Sequence, residues 1–310
     1  MGAAGEGDAV AVGGAVVAVA VGGVLGEPTA AVGEGRAGVQ AITALSSSVG
    51  STPRVIMPVR LPAARRLYVR AVASARLDLR PDRTIYSIDG GWFRARWHFS
   101  FDRYRDERHM GIGTLRVFNH DTLVPGAVWP MHPHRDIEGI TFVVAGEFDH
   151  RDSLGNGGVL LPGGVQRMRL GSGAEHSEGN HSATAEMQFI QMWILPWKRG
   201  LAPSIVQRQY GVEDRTDRLL RFLRPEGSAG EGIDVAQDAS MYASRLSSGR
   251  SLAHDLGEQR GGYLYVISGA LAANGQAMKT GDAAYVHGPG SLELAAAGES
   301  DLLLVDTPVA

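Results

Sequence analysis

From Thr84 onward, short β-branched and aromatic runs recur every eight to twelve residues, each cut off by glycine or proline, and this rhythm is the strongest constraint on the fold. The runs at 113–118, 140–144, 187–194, 263–267 and 302–305 are long enough for strands and too short for ordinary helices. No long stripe of period 3.6 competes with them, so the chain is expected to be all-β. A short helix is expected only at 216–223, where Thr216 offers a cap and Arg224-Pro225 a stop.

The two halves of this region echo one another. The run 140–144 leads to Gly146 and then to Pro162-Gly163-Gly164, while 263–267 leads to Gly269 and then to Thr280-Gly281. Each reads as strand, glycine turn, strand and a second glycine turn, and two β-barrels of one kind in tandem explain the echo most economically.

Composition narrows the chemistry. With no cysteine among 310 residues, disulfide scaffolds, thiolate metal sites and thiol nucleophiles are excluded. A chain of this length buries roughly 70–75% of its unfolded surface and needs no such staples. The net charge of −3 provides no basic field for a phosphate backbone, so direct nucleic-acid binding is not expected. Of the 30 basic residues only Lys198 and Lys279 are lysine, a bias that reflects coding composition.

Residues 1–83 have a different texture. The segment 1–52 is Ala, Gly and Val without one aromatic residue, and it has too little large apolar surface to offset the entropy of ordering. The stretch 9–26 resembles a leader's apolar region, but Glu6 and Asp8 precede it and four glycines interrupt it, so neither a signal nor a membrane anchor is expected. Glu6 also departs from a myristoylation motif. The stretch 54–83 carries eight arginines against Asp78 and Asp82 and reads as an unstructured extension in preference to a transit peptide. A cytoplasmic protein is expected.

Eight of the ten histidines lie between His98 and His181. His132-Pro-His134 and His176-Ser-Glu178 are both i, i+2 pairs, and on a strand each pair projects from one face. Three imidazoles and one carboxylate form a shell that suits one divalent ion with positions left for water, substrate or dioxygen. Fe(2+), Mn, Ni, Cu and Co fit this set better than zinc, whose sites are usually closed and tetrahedral.

The order Gly126-x5-His132-x-His134-x3-Glu138 follows the first cupin motif. The strings 132–138 and 171–178, with Trp97-His98-Phe-Ser-Phe101 and 146–155, resemble the pirin family of bicupins over about 84–310. The resemblance implies two tandem jelly-roll cupin barrels, an N-terminal one at 84–212 and a C-terminal one at 213–310. It implies one metal, usually iron, on His132, His134, His176 and Glu178. Arg167 stands where general cupins place a metal histidine, a loss that pirins share, and Glu138 is expected to hydrogen-bond a ligand imidazole or a neighbouring strand. His254 and His287 lack i+2 partners, so the second barrel is expected to be metal-free.

The implied activity is that of a metal-dependent dioxygenase cleaving quercetin-type flavonols at the 2,3 positions with O2 and releasing carbon monoxide, with Glu178 as general base. The alternative is a non-catalytic iron-binding regulator that acts through a protein partner. A cupin isomerase or sugar-binding protein fits less well, because the C-terminal half lacks a matching set of polar residues. His150 is read as either near the site or on a surface hairpin, and His98 as a core or lid residue. His120 and His181 are read as structural or exposed. Trp92, Phe93, Trp97 and Phe101 are candidates for a pocket wall, though core positions are the commoner use of such residues.

Overall fold

The computed structural model describes residues 73–309, so the readings of 1–52, of the leader-like stretch 9–26 and of most of 54–83 lie outside the described residues. The regular structure of the described chain is nearly all β, with only two short 3-10 turns besides strands. It opens with β1 (Arg76–Arg80). The first barrel contains β2 (Tyr86–Asp89), β3 (Phe93–Trp97), β4 (Leu115–Leu123), β5 (Val128–His134), β6 (Glu138–Ala145), β7 (Phe148–Asp152), β8 (Gly157–Leu160), β9 (Gly164–Arg169), β10 (Ala174–Asn180), β11 (Met187–Ile194) and β12 (Ser204–Gln209). The second contains β13 (Leu220–Pro225), β14 (Ile233–Val235), β15 (Ser240–Leu246), β16 (Ser251–Leu256), β17 (Arg260–Ser268), β18 (Ala270–Ala273), β19 (Gln276–Lys279), β20 (Ala283–His287), β21 (Gly290–Ala296) and β22 (Ser300–Pro308). Among the described residues no helix is long and apolar enough to cross a membrane.

The sequence echo is a structural repeat. The first barrel has a seven-stranded sheet in the order β12-β9-β6-β11-β4-β3-β2 and a four-stranded sheet in the order β5-β10-β7-β8. The second has β1-β20-β17-β22-β15-β13-β14 and β16-β21-β18-β19, the same plan except at one edge, where β14 pairs parallel with β13 whereas β2 pairs antiparallel with β3. Gly146 and Gly269 occupy the matching turns with φ of 77° and 89°. A Cβ on Gly146 would lie 2.7 Å from the Glu186 carbonyl oxygen, and one on Gly269 would lie 2.1 Å from that of Glu299, so the next strand passes where only glycine permits it.

Two expectations are corrected. The extension does not run unbroken to residue 83, because β1 pairs antiparallel with β20 from Arg76↔His287 to Arg80↔Ala283. In the second barrel it takes the edge that β12 takes in the first, so a strand from before the first barrel completes the second. The helix expected at 216–223 is also absent. A single 3-10 turn at Glu213–Arg215 precedes β13, which pairs with β15 and buries Leu220, Phe222 and Leu223. Cross-strand pairing outweighs the weak local helix signal.

The largest apolar cluster joins the two seven-stranded sheets, with Phe118, Ile140, Phe142 and Met192 on one side and Met241, Tyr263, Tyr265 and Val305 on the other. Three histidine–tyrosine hydrogen bonds cross the same boundary: His98 Nδ1 to Tyr263 at 2.9 Å, His109 Nδ1 to Tyr285 at 3.0 Å and His120 Nδ1 to Tyr265 at 2.8 Å. His98 is therefore a core residue, and His120 is structural as expected. Burial holds the His120 ring down to about 4 and also lowers His98 and His109.

A histidine that binds its proton less readily when folded supports stability above its unfolded value of about 6.5, and that support is lost as the pH falls from there towards 4. For His120 the shift is equivalent to about 3 kcal/mol. Urea unfolding of the metal-free protein is expected to show a clear loss of stability between pH 7.5 and pH 5. His120→Gln should reduce that difference, the other lowered histidines keeping the rest, and an unchanged slope in the variant would count against this role.

Candidate metal centre

Strands β5 and β10 are antiparallel neighbours, and their register sets His176 opposite His132 and Ala174 opposite His134. The ring centroids lie 4.5 Å apart for His132 and His176, 4.8 Å for His132 and His134, and 5.2 Å for His134 and His176. One nitrogen from each ring lies within 4.8 Å of the other two, the spacing needed for a shared ion.

The sequence sets this up locally. Between the pairs His176↔His132 and Glu178↔Trp129 the register slips, so Pro130 and Met131 on β5 stand against Ser177 alone. Proline suits that bulge because it has no N–H to leave unpaired. Its carbonyl oxygen accepts a hydrogen bond from His132 Nδ1 at 2.7 Å, which leaves Nε2 with its lone pair free for a ligand.

His176 is 2% exposed, yet neither of its ring nitrogens has a hydrogen-bond partner. Burial lowers His176 to about 3, with His132 and His150 adding to the effect, and burial lowers His134 to about 4. Both rings are neutral donors at neutral pH. An orphaned, neutral imidazole beside two others is the arrangement that a divalent cation satisfies.

Glu178 stands beside this trio. Its Oε1 lies 3.7 Å from His176 Nδ1 and accepts a hydrogen bond from Gln191 Nε2 at 3.0 Å. Thr141 Oγ1 donates to Gln191 Oε1 at 2.7 Å and so fixes which end of the amide faces the carboxylate. Burial pushes the Glu178 carboxyl up, opposed by the neighbouring histidines and by the Gln191 bond. The expected four residues are thus grouped as three mutually close histidines with the carboxylate adjacent.

His150 is not on a surface hairpin. It is fully buried on β7, opposite Glu178 on β10, with its ring 5.7 Å from that of His176. Gln207 holds the Gln166 amide, which donates to His150 Nδ1 at 3.1 Å, and Nε2 is turned towards Asp152 at 3.4 Å. Glu138 takes the neighbouring-strand role, because its Oε1 accepts from Arg169 Nε at 2.8 Å and from the Ala236 N–H at 3.3 Å. Arg167 lies on the face of β9 opposite Gln166 and Met168 and bonds the Asp234 carbonyl and Ser204. In the second barrel His254 bonds Asp306, His287 bonds Asp78, and Leu256, Leu292 and Leu294 fill the interior. His181 is exposed.

A cavity of about 400 Å³ opens onto His132, His134 and Glu178. Phe93, Trp97 and Phe101 line it together with Trp129, Phe189 and Trp193, whereas Trp92 lies outside against Phe93 and Trp129. Five polar lining residues were not among the expected site: Asp102 and Arg103, which are exposed, and Asn119, Asp121 and Gln191. The readable signal was a polar side chain at an inward position of a buried strand, since 119 and 121 alternate with the outward Phe118 and His120 on β4. Burial pushes the Asp121 carboxyl well up, and the charge of Glu178 adds to this.

Comparison with known proteins agrees with this architecture. Residues 79–194 match the family model described as Pirin, and residues 224–307 match that of the quercetinase C-terminal cupin domain. A pirin-like protein of Caulobacter vibrioides is 34% identical over 230 residues, covering 74% of this chain and 99% of its own length. The quercetin 2,3-dioxygenase of Escherichia coli strain K12 is 33% identical over 219 residues, covering 70% of this chain and 93% of its own. The crystal structure of the bacterial pirin YhhW of Escherichia coli in complex with nickel(II) superposes with a TM-score of 0.71 at 30% identity, over 76% of this chain and all of that one. With its two barrels, its histidine trio and relatives matched over nearly their whole length, this chain belongs to the pirin family.

Proposed function

We propose that this protein is a metal-dependent dioxygenase that cleaves quercetin-type flavonols at the 2,3 positions with O2 and releases carbon monoxide. The observation that carries this reading is the junction of two unlike features: a histidine trio of which His132 and His134 face a cavity, and six aromatic side chains that line the same cavity. The E. coli relative named quercetin 2,3-dioxygenase supports the same substrate class.

His132, His134, His176 and Glu178 would hold one divalent ion, Fe(2+) by preference, with Mn, Ni, Cu or Co as alternatives. When bound, the ion supplies Lewis acidity that lowers the pKa of a chelated flavonol hydroxyl. The Glu178 carboxylate accepts that proton, and Gln191 keeps the carboxylate turned towards the cavity. The aromatic walls stack on the planar ring system and exclude water.

Oxygen uptake by anaerobically purified, Fe(2+)-loaded protein on addition of quercetin tests the proposal, with carbon monoxide as the diagnostic product. Glu178→Gln keeps an acceptor for Gln191 but removes the base, so turnover is expected to fall by about 10²- to 10⁴-fold while most of the metal stays bound. Stoichiometric iron without any uptake by the wild-type protein would instead favour a non-catalytic iron-binding protein that acts through a protein partner.

A further inference from the structure

Within the cavity every polar side chain but two has a task. His132, His134 and Glu178 face the proposed ion, Gln191 is held between Thr141 and Glu178, and Arg103 and Asp102 pair with one another at the exposed rim. Asn119 and Asp121 remain. They are 3% and 6% exposed, Asn119 Oδ1 is buried without a hydrogen-bond partner among the described residues, and the Asp121 carboxyl lines the cavity beside it. Asp121 sits opposite Ala95 on β3 and Phe189 on β11, which offer it no polar group, and Asn119 sits opposite Trp97 and Gln191.

Polar groups this deeply buried are normally satisfied, and a carboxyl without a partner is among the costlier exceptions. On the floor of a ligand cavity the missing partner is supplied by the ligand. A site of this kind discriminates strongly, since an analogue lacking the matching group leaves the buried carboxyl unpaired.

We infer that Asp121, supported by Asn119, is a specificity-determining residue that hydrogen-bonds a ring hydroxyl of the substrate, so that the cavity selects polyhydroxylated planar aromatics over unsubstituted ones. This inference rests on the proposed function, because it places the ligand in the same cavity. Ionised, Asp121 accepts the hydroxyl proton in a hydrogen bond; protonated, it donates to the hydroxyl oxygen. The selection therefore holds in either state.

The test is anaerobic calorimetric titration of the Fe(2+)-loaded protein with quercetin and with 3-hydroxyflavone, which shares the chelating hydroxyl and carbonyl but lacks the other hydroxyls. Wild-type protein is expected to bind quercetin about 10- to 100-fold more tightly, the range expected for one hydrogen bond to a charged or buried carboxyl. Asp121→Ala should remove most of that preference by weakening quercetin alone, and Asp121→Asn, which keeps the shape and a hydrogen-bonding group, should restore part of it. Metal content and melting temperature of each variant establish that the fold is intact. Equal affinity of the wild-type protein for the two compounds, or an unchanged preference in Asp121→Ala, overturns the inference while leaving the dioxygenase reading standing. Binding of neither compound overturns both.

Discussion

His176→Leu is expected to abolish metal binding and, at the same time, to raise the melting temperature of the metal-free protein. The ring is 2% exposed and neither nitrogen has a partner, so without metal it is an unsatisfied polar group in the interior. Such a group costs about 1–3 kcal/mol. Leucine removes that cost and keeps most of the packing, and at this chain length each kcal/mol is worth about 2–4 °C. Loss of one of three nitrogen donors should weaken metal binding by more than about 100-fold, beyond what outer-shell changes cause, and turnover should fall to background. Metal analysis after dialysis, together with melting curves of the apo proteins, checks both parts. A leucine variant that melts well below apo wild type would mean that His176 is a packing residue first and a ligand second.

The second large effect lies away from the ion. Glu138 is fully buried between Arg169 at 2.8 Å and Arg167 at 3.7 Å, and it also accepts the N–H of Ala236. The Arg169 guanidinium continues to Glu226 and that of Arg167 to Asp234, so one carboxylate anchors a charged network that joins the two barrels. Removing one partner of a buried ion pair typically costs about 3–5 kcal/mol, because the opposite charge is left without compensation. Glu138→Ala should therefore shift the urea midpoint strongly downward while metal still binds in the native baseline. Loss of metal without loss of stability would return Glu138 to the role that general cupins give it.

Much of the site was legible because strand periodicity is short. Two residues separated by one must share a face, so His132 with His134 and His176 with Glu178 were paired before any pairing between strands was known. The strand at 187–194 was readable, since its large apolar residues form a run that Pro196 closes. What escaped was whatever depends on a distant segment. His150 enters the site from β7, and no local pattern tells which of several histidines faces inward; alternation on β4 marks Asp121 as inward but not which cavity it reaches. Glu138 belonged to a metal motif by spacing but is claimed by Arg169, which the register of β6 and β9 sets opposite it.

By itself, the sequence determined the all-β character, the repeat of two barrels and the two same-face pairs, His132 with His134 and His176 with Glu178, because each of these depends on alternation and glycine turns within a few residues. The tertiary structure decided that β1 closes the second barrel, that residues 220–225 form a strand and that Glu178 is held by Gln191 at the edge of the histidine trio. It also decided that Asn119 and Asp121 line the cavity, with Asn119 Oδ1 left without a partner among the described residues. These outcomes rest on hydrogen-bond register between segments as far as about 200 residues apart, and a pairing energy between distant strands leaves no signature in either strand alone.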